Sequence, residues 1–179
     1  MTGLVKPTGY AIQNAKFELA DVAVAGEFVH RIAQGVERSW PEIRTLLGPL
    51  FGEAAACLDE PDAWLEFGLA LMAIHIQALP DGLVPSEAIR IRVLVLTDVC
   101  TTLGVVPRQT VERYERAWHD SLTAGGAPLD CVARLLCDRW GISRSGPPVR
   151  VPGSDPHVVM VLGTALLTWA DAWPHWLSP

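Results

Sequence analysis

The sequence is short of charge, of basic residues and of long hydrophobic runs. Charged residues make up 19% of the 179 residues, and Asp plus Glu outnumber Lys plus Arg by 20 to 14. This balance leaves no strong basic footprint for nucleic acid, which argues against nucleic acid as a partner. A bilayer span needs about eighteen apolar residues, and the longest apolar stretch, 158–170, is shorter and contains Gly163. We therefore expect no membrane partner.

The sequence also has no pattern that marks a metal site or a common catalytic centre. The five histidines are dispersed and the four cysteines form no CxxC pair. The HExxH, GxSxG, GxGxxG and GxxxxGK motifs do not occur. We predict no metal site and no cofactor. These absences exclude only the easily recognised enzymes.

The four cysteines fall mainly in apolar, helix-like segments, where cysteine behaves as a small hydrophobic residue. Residues 1–16 lack a basic start followed by an apolar run, so they do not resemble a secretory signal. We therefore expect reduced thiols and a cytoplasmic location.

Proline and glycine punctuate the chain at short intervals, and the segments between them have helical spacing. The predicted helices cover 14–38 (with a possible break near Gly26), 39–48, 49–58, 64–79, 87–103, 107–124, 129–140 and 156–173. We predict an all-α protein, a single-domain bundle of about seven or eight helices over residues 1–179. Residues 1–13, rich in glycine and proline, form an irregular N-terminal arm.

Segment 64–79 is apolar nearly all round, which is typical of a central, buried helix. It contains His75, our first candidate for an acid–base residue, because burial alters the protonation of imidazole. The alternative interpretation is a hydrogen-bonded core histidine.

Segment 87–103 allows two interpretations. Its apolar residues repeat at spacings of four and three, which predicts a helix: Ile89, Val93, Leu96, Cys100 and Leu103. The alternation over 89–96 also permits a strand. We favour the helix because the repeat extends to the end of the segment. The alternative fold is α/β, with strands near 89–96 and 158–162.

Residues 94–116 resemble the helix-turn-helix unit of DNA-binding proteins, with Gly104 at the turn. Four polar residues of the second helix would face the groove of DNA: Arg108, Gln109, Arg113 and Arg116. The same helix carries Glu112 and Glu115, which we place on its solvated face and which repel phosphate. DNA binding through this segment is therefore an alternative function.

Tryptophan is the most unusual component, with seven residues in the chain. Trp169, Trp173 and Trp176 crowd the C-terminal end, and the first two lie one helical turn apart. Such a face can bind a partner or line an apolar pocket, and Trp64 is a fourth candidate. Packing within the core is the competing interpretation.

These features favour a non-enzymatic helical protein-interaction or assembly protein that associates with itself or with another protein. The first alternative is a small-molecule-binding helical protein, an enzyme included, with an apolar, Trp-lined pocket. In such a pocket the polar groups would come from four residues: His75, Gln77, Trp64 and Asp98. The second alternative is the DNA-binding function described above.

Overall fold

The computed structural model describes residues 19–77 and 84–141, and over these ranges the protein is all-α. The elements, in chain order, are α1 (Leu19–Phe51), a 3₁₀ helix (Gly52–Asp59), α2 (Ala63–Gln77), α3 (Pro85–Thr102), α4 (Val105–Thr123) and α5 (Pro128–Arg139). The predicted arm 1–13, the predicted helix 156–173 and the alternative strand 158–162 lie outside the described residues.

The predicted count of seven or eight helices is wrong for the part of the chain that the structure describes, which has five α-helices. The predicted segments 14–38 and 39–48 merge into α1, which continues through Pro41 and Pro49. One apolar face of α1 stays buried from Ala25 to its end: Ala25, Phe28, Val29, Ile32, Val36, Ile43, Leu47 and Phe51. A proline inside a helix costs about 3 kcal/mol, whereas burying each large apolar side chain contributes about 1.5–3 kcal/mol. Packing therefore outweighs the proline signals.

Segment 89–96 lies inside α3, so the strand alternative is wrong there. The face that α3 buries differs from the predicted one. Its buried residues are Ile91, Val95, Leu96 and Val99, whereas Ile89 is 60% exposed. Both sets repeat at helical spacing, and the sequence pattern did not distinguish which face points to the core.

Helix α2 is the centre of the bundle, as its composition predicts. Residues 67–76 are all buried, and the helix packs against α1, α4, α5 and the 3₁₀ helix. Helix α4 packs against α3 and α5 as well, while α1 packs against α3. All described helices except α3 thus pack against one strongly apolar helix.

Gly104 joins α3 to α4 in a backbone conformation that favours glycine, with φ of 107° and ψ of 178°. We expect Gly104→Ala to lower the free energy of unfolding by about 1–3 kcal/mol, because a side chain strains this conformation. Gly48, inside α1, is the matched control, since an added Cβ there meets no atom within 4 Å. Gly48→Ala should raise stability by about 1 kcal/mol. Urea unfolding of both variants measures this, and equal effects would contradict it.

Candidate interaction surface

His75 lies in the core, with no exposed surface. Its ring makes an edge-to-face contact with Phe28 of α1, with ring centroids 5.8 Å apart and an interplanar angle of 78°. This geometry is a favourable aromatic packing arrangement. The structure therefore places the acid–base candidate among core side chains and between two helices.

The other residues expected around a pocket each have a different neighbour. Gln77 donates from Nε2 to Glu115 Oε1 at 3.0 Å. Asp98 is half-buried in α3, beside Gly26 of α1. Trp64 is half-buried in the first turn of α2 and packs against the core.

Glu115 is the buried centre of a polar cluster that joins α2, α3 and α4. Arg92 binds it in a bidentate way, with Nε to Oε1 and Nη2 to Oε2 both at 2.8 Å, and Gln77 adds the third donor. The Glu115 side chain is 3% exposed and that of Arg92 43% exposed. The hydrogen bonds to Glu115 raise the pKa of Arg92 above its usual value. The expectation that Glu115 lies on a solvated face is therefore wrong.

The position of Glu115 in the helical repeat of α4 indicates that it is buried. It lies four residues after the buried Val111 and three before the half-buried Trp118, on the same side of α4. An acidic residue is almost never fully buried without a partner. The basic partner, Arg92, lies on another helix, and single-helix periodicity does not reveal it.

A second polar cluster joins α2, α4 and α5. Arg139 and the hydroxyl of Tyr114 both donate to the carboxylate of Glu66, the tyrosine at 3.4 Å. Burial, and then the charge of Glu66, raise the pKa of Tyr114 well above its usual value. Tyr114 therefore stays a neutral hydrogen-bond donor at physiological pH.

Four aromatic residues pack where α1, α2 and the end of α5 meet. Trp140 stacks on Phe67 with ring centroids 6.5 Å apart and an interplanar angle of 6°, and it lies 6.1 Å from Trp40 and 6.0 Å from Phe51. Tryptophan therefore has a packing role at Trp40 and Trp140. The candidates Trp169, Trp173 and Trp176 lie outside the described residues.

The helix-turn-helix resemblance corresponds to α3, Gly104 and α4. Arg108 is engaged within α4, where its Nε donates to Glu112 at 3.1 Å. Gln109, Arg113 and Arg116 are exposed on the outer side of the same helix. Two of the three candidate arginines are therefore exposed to solvent, and the third has its charge balanced by an acid.

All four cysteines are free thiols in the structure, as expected: Cys57, Cys100, Cys131 and Cys137. Cys137 is buried in α5, and burial raises the pKa of its thiol to about 12. A neutral thiol is a poor nucleophile, so Cys137 acts as a core residue.

The outer face of α1, which sequence patterns did not single out, consists of exposed residues beside Pro41: Arg38, Pro41, Glu42, Thr45 and Leu46. The last four line an open groove of about 530 Å³. The Leu46 side chain is 58% exposed there. The hydroxyl of Thr45 donates to the carbonyl of Pro41 at 2.8 Å, so its hydrogen-bonding group is already satisfied.

The charges of this face are incompletely balanced. Arg38 Nη2 donates to Gln34 Oε1 at 3.4 Å, a long hydrogen bond. Among the described residues, Glu42 has no ion-pair partner. On the adjacent side of α1, by contrast, Arg44 is paired with Asp59 of the 3₁₀ helix. The α1 outer face therefore combines an apolar groove with one weakly engaged basic residue and one unpaired acidic residue.

Within residues 19–77 and 84–141, no helix is long and apolar enough to cross a membrane, and no group of three or more potential ligands could hold a metal ion. No protein-family model matches the chain, and no curated protein or solved structure matches it either.

Proposed function

We propose that this chain is a helical protein-interaction protein that assembles with a second copy of itself. The observation that carries the proposal is the open groove on the α1 outer face, which Leu46 lines together with Pro41 and Thr45 and where its side chain is 58% exposed. A partner that covers this leucine removes its apolar surface from water, which favours binding. The face also carries one residue of each charge, Arg38 and Glu42, so it is complementary to a copy of itself.

Rigid support makes the α1 outer face suitable for binding. Behind it, Ile43 and Leu47 are buried in the core. Trp40, next to Pro41, packs against Phe67 with ring centroids 6.0 Å apart. The bundle therefore holds this surface in place, and binding a partner costs little conformational entropy. The satisfied hydroxyl of Thr45 leaves no donor unpaired on burial.

Leu46→Ser should weaken self-association of the full-length chain. Burying the exposed leucine in each copy contributes on the order of 1–2 kcal/mol, so we expect the dissociation constant to rise roughly tenfold or more. Sedimentation equilibrium over a range of protein concentrations measures this change. Ile89→Ser is the matched control, because Ile89 is 60% exposed on α3 and does not belong to the α1 outer face.

Two results would contradict the proposal. A wild-type chain that stays monomeric at every concentration has no self-association to explain. Equal weakening by Leu46→Ser and Ile89→Ser would show a general effect of surface hydrophobicity and no specific groove.

A further inference from the structure

The α1 outer face has its two unbalanced charges one helical turn apart. Arg38 and Glu42 are both exposed and lie on the side of α1 opposite the buried residues Val36, Ile43 and Leu47. Within one helix, a basic residue four positions before an acidic one is the less favourable order. Here Arg38 bonds to Gln34 and leaves Glu42 without a partner among the described residues.

Two-fold symmetry would pair these charges between two copies. In an isologous dimer, residue i of one copy contacts residue j of the other, and j contacts i. When two α1 helices lie antiparallel with the axis level with Trp40, Arg38 of each copy stands opposite Glu42 of the other. The same register places Thr45 opposite Gly35, which has no side chain to obstruct a close approach.

We propose that two copies of this chain pair antiparallel through their α1 outer faces, with Arg38 of each copy bound to Glu42 of the other and the Pro41–Leu46 grooves covered by the contact. This inference rests on the self-association proposed above and adds the surface, the orientation and the register.

The expected dimer is weak. The exposed stretch from Arg38 to Leu46 is about 12 Å long on a helix about 10 Å across, far below the roughly 800 Å² that each partner buries in a standard interface. We therefore expect a dissociation constant of about 1 μM or weaker and a dimer that loosens as salt screens the charges.

Charge reversal tests the register directly. Arg38→Glu places two acidic residues opposite each other at each contact, and Glu42→Arg does the same with basic residues. We expect each variant alone to dimerise roughly tenfold more weakly than wild type or less well still, because like charges repel at both contacts. An equimolar mixture should form a heterodimer, because every contact then joins opposite charges.

Native mass spectrometry of the full-length variants, singly and mixed, resolves homodimers from the heterodimer by mass. Arg116→Glu on α4, an exposed reversal of the same size, is the control and should leave dimerisation unchanged. Preferential heterodimer formation supports the register, because a change within one chain cannot create preference for the other variant.

Two other outcomes separate this inference from the proposed function. If wild type dimerises and neither charge reversal alters it, the α1 register is wrong and self-association uses another surface. If wild type is monomeric throughout, the proposed self-association itself fails.

Discussion

Arg92→Met should destabilise the fold by about 2–4 kcal/mol, somewhat less than the cost of breaking a fully buried ion pair, because the Arg92 side chain is 43% exposed. The variant removes both charge-assisted hydrogen bonds to Glu115 and leaves one donor, Gln77. The Glu115 side chain is 3% exposed, so water cannot replace the lost donors. Urea unfolding followed by far-ultraviolet circular dichroism measures the loss.

The control for this prediction is to remove both charges of the ion pair, since removing one and removing both should have different effects on stability. The double variant Arg92→Met with Glu115→Met removes both charges and keeps the volume apolar. Replacement of a buried ion pair by packed hydrophobic residues is often close to neutral, so the double variant should recover most of the stability. If the double variant is as unstable as Arg92→Met, the unpaired carboxylate is not the cause and the explanation is wrong.

Local sequence patterns predicted those parts of the fold that depend on a single segment. The continuous apolar run of α2 predicted its central position, and Gly104 and Gly125 marked real helix ends. The merged helix α1 could not be predicted in this way. The helix continues across Pro41 because its buried residues before and after the proline pack into the same core. That packing is a property of the assembled bundle.

The candidate site was less predictable for the same reason. The helical pattern of α1 indicates its apolar face, whereas the importance of its outer face depends on the core residues behind it and on its exposure, with no other described helix over it. The pairing of Arg92 with Glu115 and the packing of Trp40 on Trp140 join residues far apart in the chain. Single-sequence periodicity contains no information about such pairs. The C-terminal tryptophans stay a prediction.

Phe67→Ala should also cost about 3–5 kcal/mol, the usual range for removing a buried aromatic side chain. Phe67 has no exposed surface and is in contact with both Trp40 of α1 and Trp140 at the end of α5. Its loss therefore creates a cavity where three helices meet, and it leaves both indole rings without a neighbour on that side. Because side chains at such a junction are densely packed, the neighbours can fill the cavity only in part. The loss of stability should therefore fall in this range.

A comparison with Phe67→Leu tests whether the cavity causes the loss of stability in Phe67→Ala. Phe67→Leu keeps most of the volume and should cost less than about 1.5 kcal/mol. Thermal unfolding gives the stabilities, and the tryptophan emission of the folded variants contains the contributions of Trp40 and Trp140 among the seven tryptophans of the chain. We expect Phe67→Ala to shift that emission to longer wavelength, because water gains access to the indole rings, and Phe67→Leu to leave it close to wild type. Equal stability of the two variants would contradict the cavity explanation, because Phe67→Leu leaves the smaller cavity.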